Sequence, residues 1–135
     1  MTLPAPIRDL AVVAATAASD KLASSPVLVD VSGRLALADA FLVVSAPTSR
    51  QVRAIGEEIM DRLARERGVR PRRIEGRAEA TWMLIDYGDL VVHVFGDEER
   101  EYYALEKLWG DGLAEDLTAE VEPGPRPASG AAVIA

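Results

Sequence analysis

The sequence predicts a single α/β domain, a mixed β-sheet flanked by helices. Three observations carry that prediction. Segments with apolar residues at helical spacing alternate with β-branched runs. One helix is marked at both ends. Two apolar runs at 81–95 are joined by the turn sequence DYGD.

The elements follow in order. Residues 7–22 place Ile7, Leu10, Ala11, Ala14, Ala17 and Ala18 at helical spacing, with Pro4 and Pro6 before them and Ser24, Ser25 and Pro26 after. VLVDVS at 27–32 is β-branched and bounded by Pro26 and Gly33, a strand. FLVVSA at 41–46 is a continuous apolar run of strand length, which predicts burial on both faces. Thr48 opens the best-marked helix. Gln51, three residues on, gives capping-box spacing, Val52, Ile55, Ile59 and Leu63 form one stripe, and Gly68 supplies the stop. RRIEG at 72–76 reads as a short strand. Asp97 is placed to cap a helix over 98–109, whose Glu98, Glu99 and Glu101 suit the positive end of its dipole. Helices between strands imply two parallel pairs, to which 81–95 adds a hairpin. The domain is expected to span 1–120. The Pro-, Gly- and Ala-rich stretch at 121–135 is expected to lack fixed structure.

A length of 135 residues suits one domain with a sizeable core. No apolar run approaches the roughly 18 residues of a membrane helix. The N-terminus lacks a basic region ahead of its apolar part, so it is not read as a signal peptide. A cytoplasmic location is expected. The absence of cysteine removes disulfides and thiolate chemistry, and a lone histidine leaves no His-pair metal site. No cofactor is expected. Charge is divided: 50–79 carries nine Arg against six Asp or Glu, and 86–122 carries twelve Asp or Glu against Arg100 and Lys107. The plainer reading is two solvated faces of opposite sign. The functional reading is that the acidic half docks on a basic protein, with little direct nucleic-acid contact, since gripping phosphates needs clustered Lys and Arg.

The hairpin sharpens this. A two-residue turn at Tyr87-Gly88 would set Asp86 opposite Asp89 and Trp82 opposite His93. Side chains alternate, so Met83, Ile85, Leu90, Val92 and Val94 form a core face. The other face carries Trp82, Leu84, Asp86, Asp89, Val91, His93 and Phe95. Trp82 is either a core aromatic under a helix or an exposed anchor. Asp86 and Asp89 are turn formers, partner-binding carboxylates or ligands of a hard cation. There is no GxxxxGK[ST] or GxGxxG loop and no nucleophile elbow.

DAFLVVSAPTSRQVRAI, the EG at 75–76, WMLIDYGDLVVHVF and REYYALEKLWGD together resemble the ribosomal silencing factor family (RsfS, or Iojap) over 39–109. The resemblance implies a nucleotidyltransferase-like fold without catalytic residues, and thus no enzyme activity. It implies binding to the large ribosomal subunit through a basic ribosomal protein at the subunit interface. Such docking sterically blocks subunit joining and represses translation under nutrient limitation, as in stationary phase. It also suggests a homodimer when free. Many members have a glycine after the strand where this chain has SAPTS at 45–49, so Pro47 stiffens that loop. Trp82, Asp86, Tyr87, Asp89, His93, Arg100 and Tyr103 are the partner-binding candidates. The alternatives are a divergent metal-dependent nucleotidyltransferase-like enzyme using Asp86 and Asp89, or an interaction module with a non-ribosomal partner.

Overall fold

The computed structural model describes residues 3–34, 38–108 and 113–121. They form a six-stranded mixed sheet. The helices are α1 (Ala5–Asp20), α2 (Ser49–Arg67) and α3 (Asp97–Tyr103). The strands are β1 (Ser24–Asp30), β2 (Ala40–Ala46), β3 (Arg73–Glu75), β4 (Trp82–Asp86), β5 (Leu90–Gly96) and β6 (Ala114–Asp116). They lie in the order β3-β4-β5-β2-β1-β6.

Alternation along the strands gives the sheet two faces. On the first, Leu28, Leu42, Val44, Met83, Ile85, Leu90, Val92 and Val94 pack under α1 and α2 in one apolar core. The stripe Val52, Ile55, Ile59 and Leu63 is buried there as its spacing requires. Gly56 lets α2 come close, since a Cβ at that position would collide with the Met83 thioether. On the second face Val29, Val31, Phe41 and Val91 form a smaller cluster, joined by Val27, Leu84 and Leu105. Every residue of β2 and of β5 is buried, as continuous apolar runs predict for strands covered on both sides.

One parallel pair is present, not two: β2 runs parallel to β5, and the other pairings are antiparallel. A parallel partner needs a crossover of a dozen or more residues. Residues 31–39 are too short for one, so β2 returns beside β1 in the opposite sense. The strand at 114–116 was not legible, because AED has no apolar alternation and none of its residues is buried. Ends also shift. Helix α1 starts at Ala5 and stops at Asp20, and β1 starts at Ser24 through a bulge in which Ser25 adopts φ 50°. Helix α3 begins at Asp97 itself, with Gly96 as N-cap and no side-chain capping bond, and ends at Ala104 in the left-handed region. The rest of the helix expected to 109 is replaced by a 3-10 turn at 105–107, and residue 109 lies outside the described residues. Val121, the first residue of the tail expected over 121–135, is buried in the core, and residues 122–135 lie outside the described residues.

Helix α2 is built at its ends as expected. The Gln51 amide N–H donates to Thr48 Oγ1 at 3.2 Å, and the Thr48 hydroxyl donates to Gln51 Oε1 at 3.1 Å. Gly68 sits at φ 68° and closes the C-terminus. Thr48→Ala is expected to lower stability by about 1 kcal/mol, read as an earlier urea midpoint at unchanged slope.

Candidate docking face

The hairpin turn decides which residues meet. Asp86 Oδ1 accepts the Gly88 amide N–H at 2.7 Å, and the Tyr87 N–H donates to the Leu90 carbonyl at 2.9 Å. The Asp89 carbonyl is taken by the amides of Asp39 and Ala40 at 2.9 and 3.1 Å. The hairpin therefore closes at Tyr87–Leu90 around Gly88-Asp89, one residue later than a Tyr87-Gly88 turn would place it, and Gly88 takes φ 92° within it. Pairing moves by two from the tight-turn register: Trp82 lies opposite Phe95, Leu84 opposite His93, and Asp86 opposite Val91. Asp86 does not face Asp89. An even shift leaves each side chain on its expected face.

The second face thus holds an aromatic group. Trp82 is half-buried, and its indole N–H donates diagonally to His93 Nδ1 at 3.1 Å, so the two residues meet although they are not paired. The Trp82 ring lies 4.8 Å from Phe95 and 4.9 Å from Tyr103, centroid to centroid. His93 is 4% exposed and sits 4.6 Å from Phe41 in an edge-to-face arrangement. Burial pushes its pKa down to about 4, so the imidazole is neutral near pH 7. An indole only donates, so Nδ1 is the acceptor and the proton sits on Nε2. That Nε2 is buried with no hydrogen-bond partner among the described residues.

Helix α3 supplies the outer part. None of its residues is buried. Tyr103 is 47% exposed while its ring leans on Trp82 at a 46° tilt, and Tyr102 beside it is 82% exposed. Glu98 and Glu99 share a shallow hollow with these two tyrosines. Arg100 has a different task. Its Nε donates to Glu106 at 3.1 Å, and its Nη1 to the Ser24 carbonyl and the Ser45 hydroxyl oxygen, each at 3.2 Å. This guanidinium is largely buried and ties α3 and the 3-10 turn to the sheet, so it is not free for a partner.

The remaining candidates separate. The Asp86 carboxylate is committed to the turn and to Arg72 and Arg73, each 3.9 Å from Oδ2. Asp89 is exposed at the turn. Tyr87 packs against the first-face core instead of the Trp82 face, and burial pushes its phenol up to about 12. Of the candidates read from the sequence, Trp82, His93 and Tyr103 lie together, and the exposed Tyr102 beside them was not among the candidates. The signal for Tyr102 was present: a tyrosine pair in a short segment with no apolar stripe to bury it. Among the described residues no group of three or more His, Asp or Glu is placed to hold a metal ion. No described helix is long and apolar enough to cross a membrane.

Fold and face together place the chain among small α/β proteins that carry an aromatic surface beside an acidic helix. A family model described as ribosomal silencing factor during starvation matches residues 4–132. The ribosomal silencing factor RsfS of Bacillus subtilis is 47% identical over 105 residues, covering 78% of this chain and 88% of that protein. A crystal structure of a protein from Chromobacterium violaceum aligns with a TM-score of 0.73 at 30% identity, over 87% of this chain and 97% of that one. A shorter match, 39% identical over 49 residues, covers 36% of this chain and 22% of a Mus musculus protein named mitochondrial assembly of ribosomal large subunit protein 1. The chain belongs to the ribosomal silencing factor family, RsfS.

Proposed function

We propose that this chain represses translation by occlusion. It docks the Trp82–Tyr103 face on a basic protein of the large ribosomal subunit and so keeps the small subunit from joining when nutrients are limiting. The observation that carries the reading is the pair Tyr102 and Tyr103, exposed on a helix with no buried residue and flanked by Glu98 and Glu99. Aromatic side chains supply binding energy at an interface centre, and carboxylates at its rim select a basic partner and speed encounter. The silencing-factor relative and the name of the mouse relative support a ribosomal partner.

The same geometry supports a non-catalytic reading of a nucleotidyltransferase-like fold. Asp86 already serves the Gly88 amide and two arginines, and it pairs with Val91, not with the exposed Asp89. Phosphoryl transfer needs positioned charge-stabilising groups around the reacting phosphate.

Sucrose-gradient sedimentation tests the proposal. The purified chain is expected to travel with isolated large subunits and not with small ones, and to reduce subunit joining followed by light scattering. A chain left at the top of the gradient with both subunits would sink the ribosomal reading. Nucleotide turnover that vanishes in Asp86→Asn would favour the enzyme.

A further inference from the structure

The arginine-rich segment is not used by this docking. Residues 50–79 hold nine Arg and no Lys. Part of this charge is cancelled within the fold. Arg62 pairs with Asp20 and Glu58, Arg65 with Asp61, Arg67 with Asp9, and Arg77 with Glu57. Arg53 spends its donors on the carbonyl oxygens of Arg77 and Ala78. At the β3 edge the balance changes. Arg72 and Arg73 both approach one carboxylate oxygen of Asp86, at 3.9 Å each, and Arg73 also meets Glu75. Arg70 is exposed and makes no ion pair or hydrogen bond among the described residues. Arg70, Arg72 and Arg73 therefore stand against two carboxylates at the outermost strand of the sheet, in a chain whose formal net charge is −7.

Their position relates them to the docking face. Arg73 lies opposite Asp86 in the β3–β4 pairing, so it shares the face that carries Trp82. Arg72 lies over Gly88 in the turn. Trp82 and the acidic α3 occupy one end of β4, and the arginines occupy the other. A five-residue strand separates these ends by about 13 Å. The Trp82 face thus ends in carboxylates on one side and in the Arg73 guanidinium on the other, where Arg72 reaches the same Asp86 carboxylate from beside the turn. A partner that is protein alone and basic would be repelled by the second group.

We infer that the β3 edge, through Arg70 and Arg72, binds RNA phosphates of the large subunit beside the protein that the Trp82 face contacts. This rests on the ribosomal reading above. Arginine's planar fork matches phosphate oxygens in pairs, which suits an all-arginine segment. The overall acidity limits such contact to this edge.

The experiment uses the full chain, isolated large subunits and a salt series. Arg70→Gln/Arg72→Gln spares Arg73, so Asp86 keeps a cation. The double variant is expected to melt close to the wild type and to bind subunits roughly tenfold more weakly. The slope of log affinity against log salt should flatten by between one and two units, as loss of two phosphate contacts requires at about 0.7–0.9 each. Arg70→Lys/Arg72→Lys is expected to retain the slope. A Gln variant with wild-type affinity and slope overturns the inference alone. Weaker binding at unchanged slope overturns the phosphate assignment in favour of protein contacts. A wild-type chain that ignores large subunits removes the ribosomal reading and this inference with it.

Discussion

Trp82→Ala is expected to abolish most subunit binding while leaving a folded domain. The indole is half-buried, packed on Phe95 and Tyr103 and bonded to His93, so it contributes to both stability and docking. Truncating an interface anchor costs about 2–4 kcal/mol of binding, some 30-fold to several-hundred-fold in affinity. The stability loss should be smaller than the roughly 3–5 kcal/mol of a fully buried aromatic, because part of the ring already faces water. Domains of this size have on the order of 5–15 kcal/mol in hand. Thermal melting and co-sedimentation on the same sample separate the two effects. Tyr103→Ala supplies the control, since that ring is 47% exposed and lies outside the buried core. Its expected result is a melting temperature within a few degrees of wild type and binding weakened at least tenfold. If both variants bound like the parent, the aromatic surface would not be the docking site. If Tyr103→Ala alone kept full affinity, the site would centre on Trp82 and exclude the helix.

What the sequence made legible depended on how local the cause was. The caps of α2 are contacts between near neighbours, so Thr48, Gln51 and Gly68 could be placed from residue types and spacing alone. The two sheet faces were legible because alternation survives any even shift of register. The pairing partners were not. They depend on the hairpin closing at Tyr87–Leu90, one residue later than at Asp86–Asp89, with the Asp89 carbonyl bonded to Asp39 and Ala40 about fifty residues away in sequence, and no local pattern around DYGD records either. Strand order was also hidden, because β6 is three exposed residues, AED, that pair with β1 across most of the chain. Within the candidate site, Trp82 and His93 stood out as rare residue types on a face that core packing left unexplained. Arg100 looked like a rim charge, and only its tertiary partners Ser24, Ser45 and Glu106 reveal a clamp.

His93 makes stability depend on acid in a defined window. In the unfolded chain its pKa is that of a free imidazole, 6.5, and burial pushes it down to about 4 in the fold. The unfolded chain therefore takes up the proton first as pH falls. The stability held by the neutral imidazole is complete above about pH 6.5 and is lost progressively towards pH 4, where the folded form also protonates. A shift of this size corresponds to about 3 kcal/mol in full, of which about 2 to 3 kcal/mol should be lost between roughly pH 7.5 and pH 4.5. Protonation also removes the lone pair that accepts the Trp82 indole N–H, so the loss is coupled to the aromatic group at the docking face. Carboxylates titrate in the lower part of the same window, and a variant isolates the histidine. His93→Asn keeps an acceptor oxygen near Trp82 and cannot titrate. The stability difference between wild type and variant, from urea unfolding at each pH, should shrink in the wild type's disfavour as the solution is acidified. A difference that stays constant across that range would mean that His93 is open to solvent, and with it the surface on which Trp82 rests.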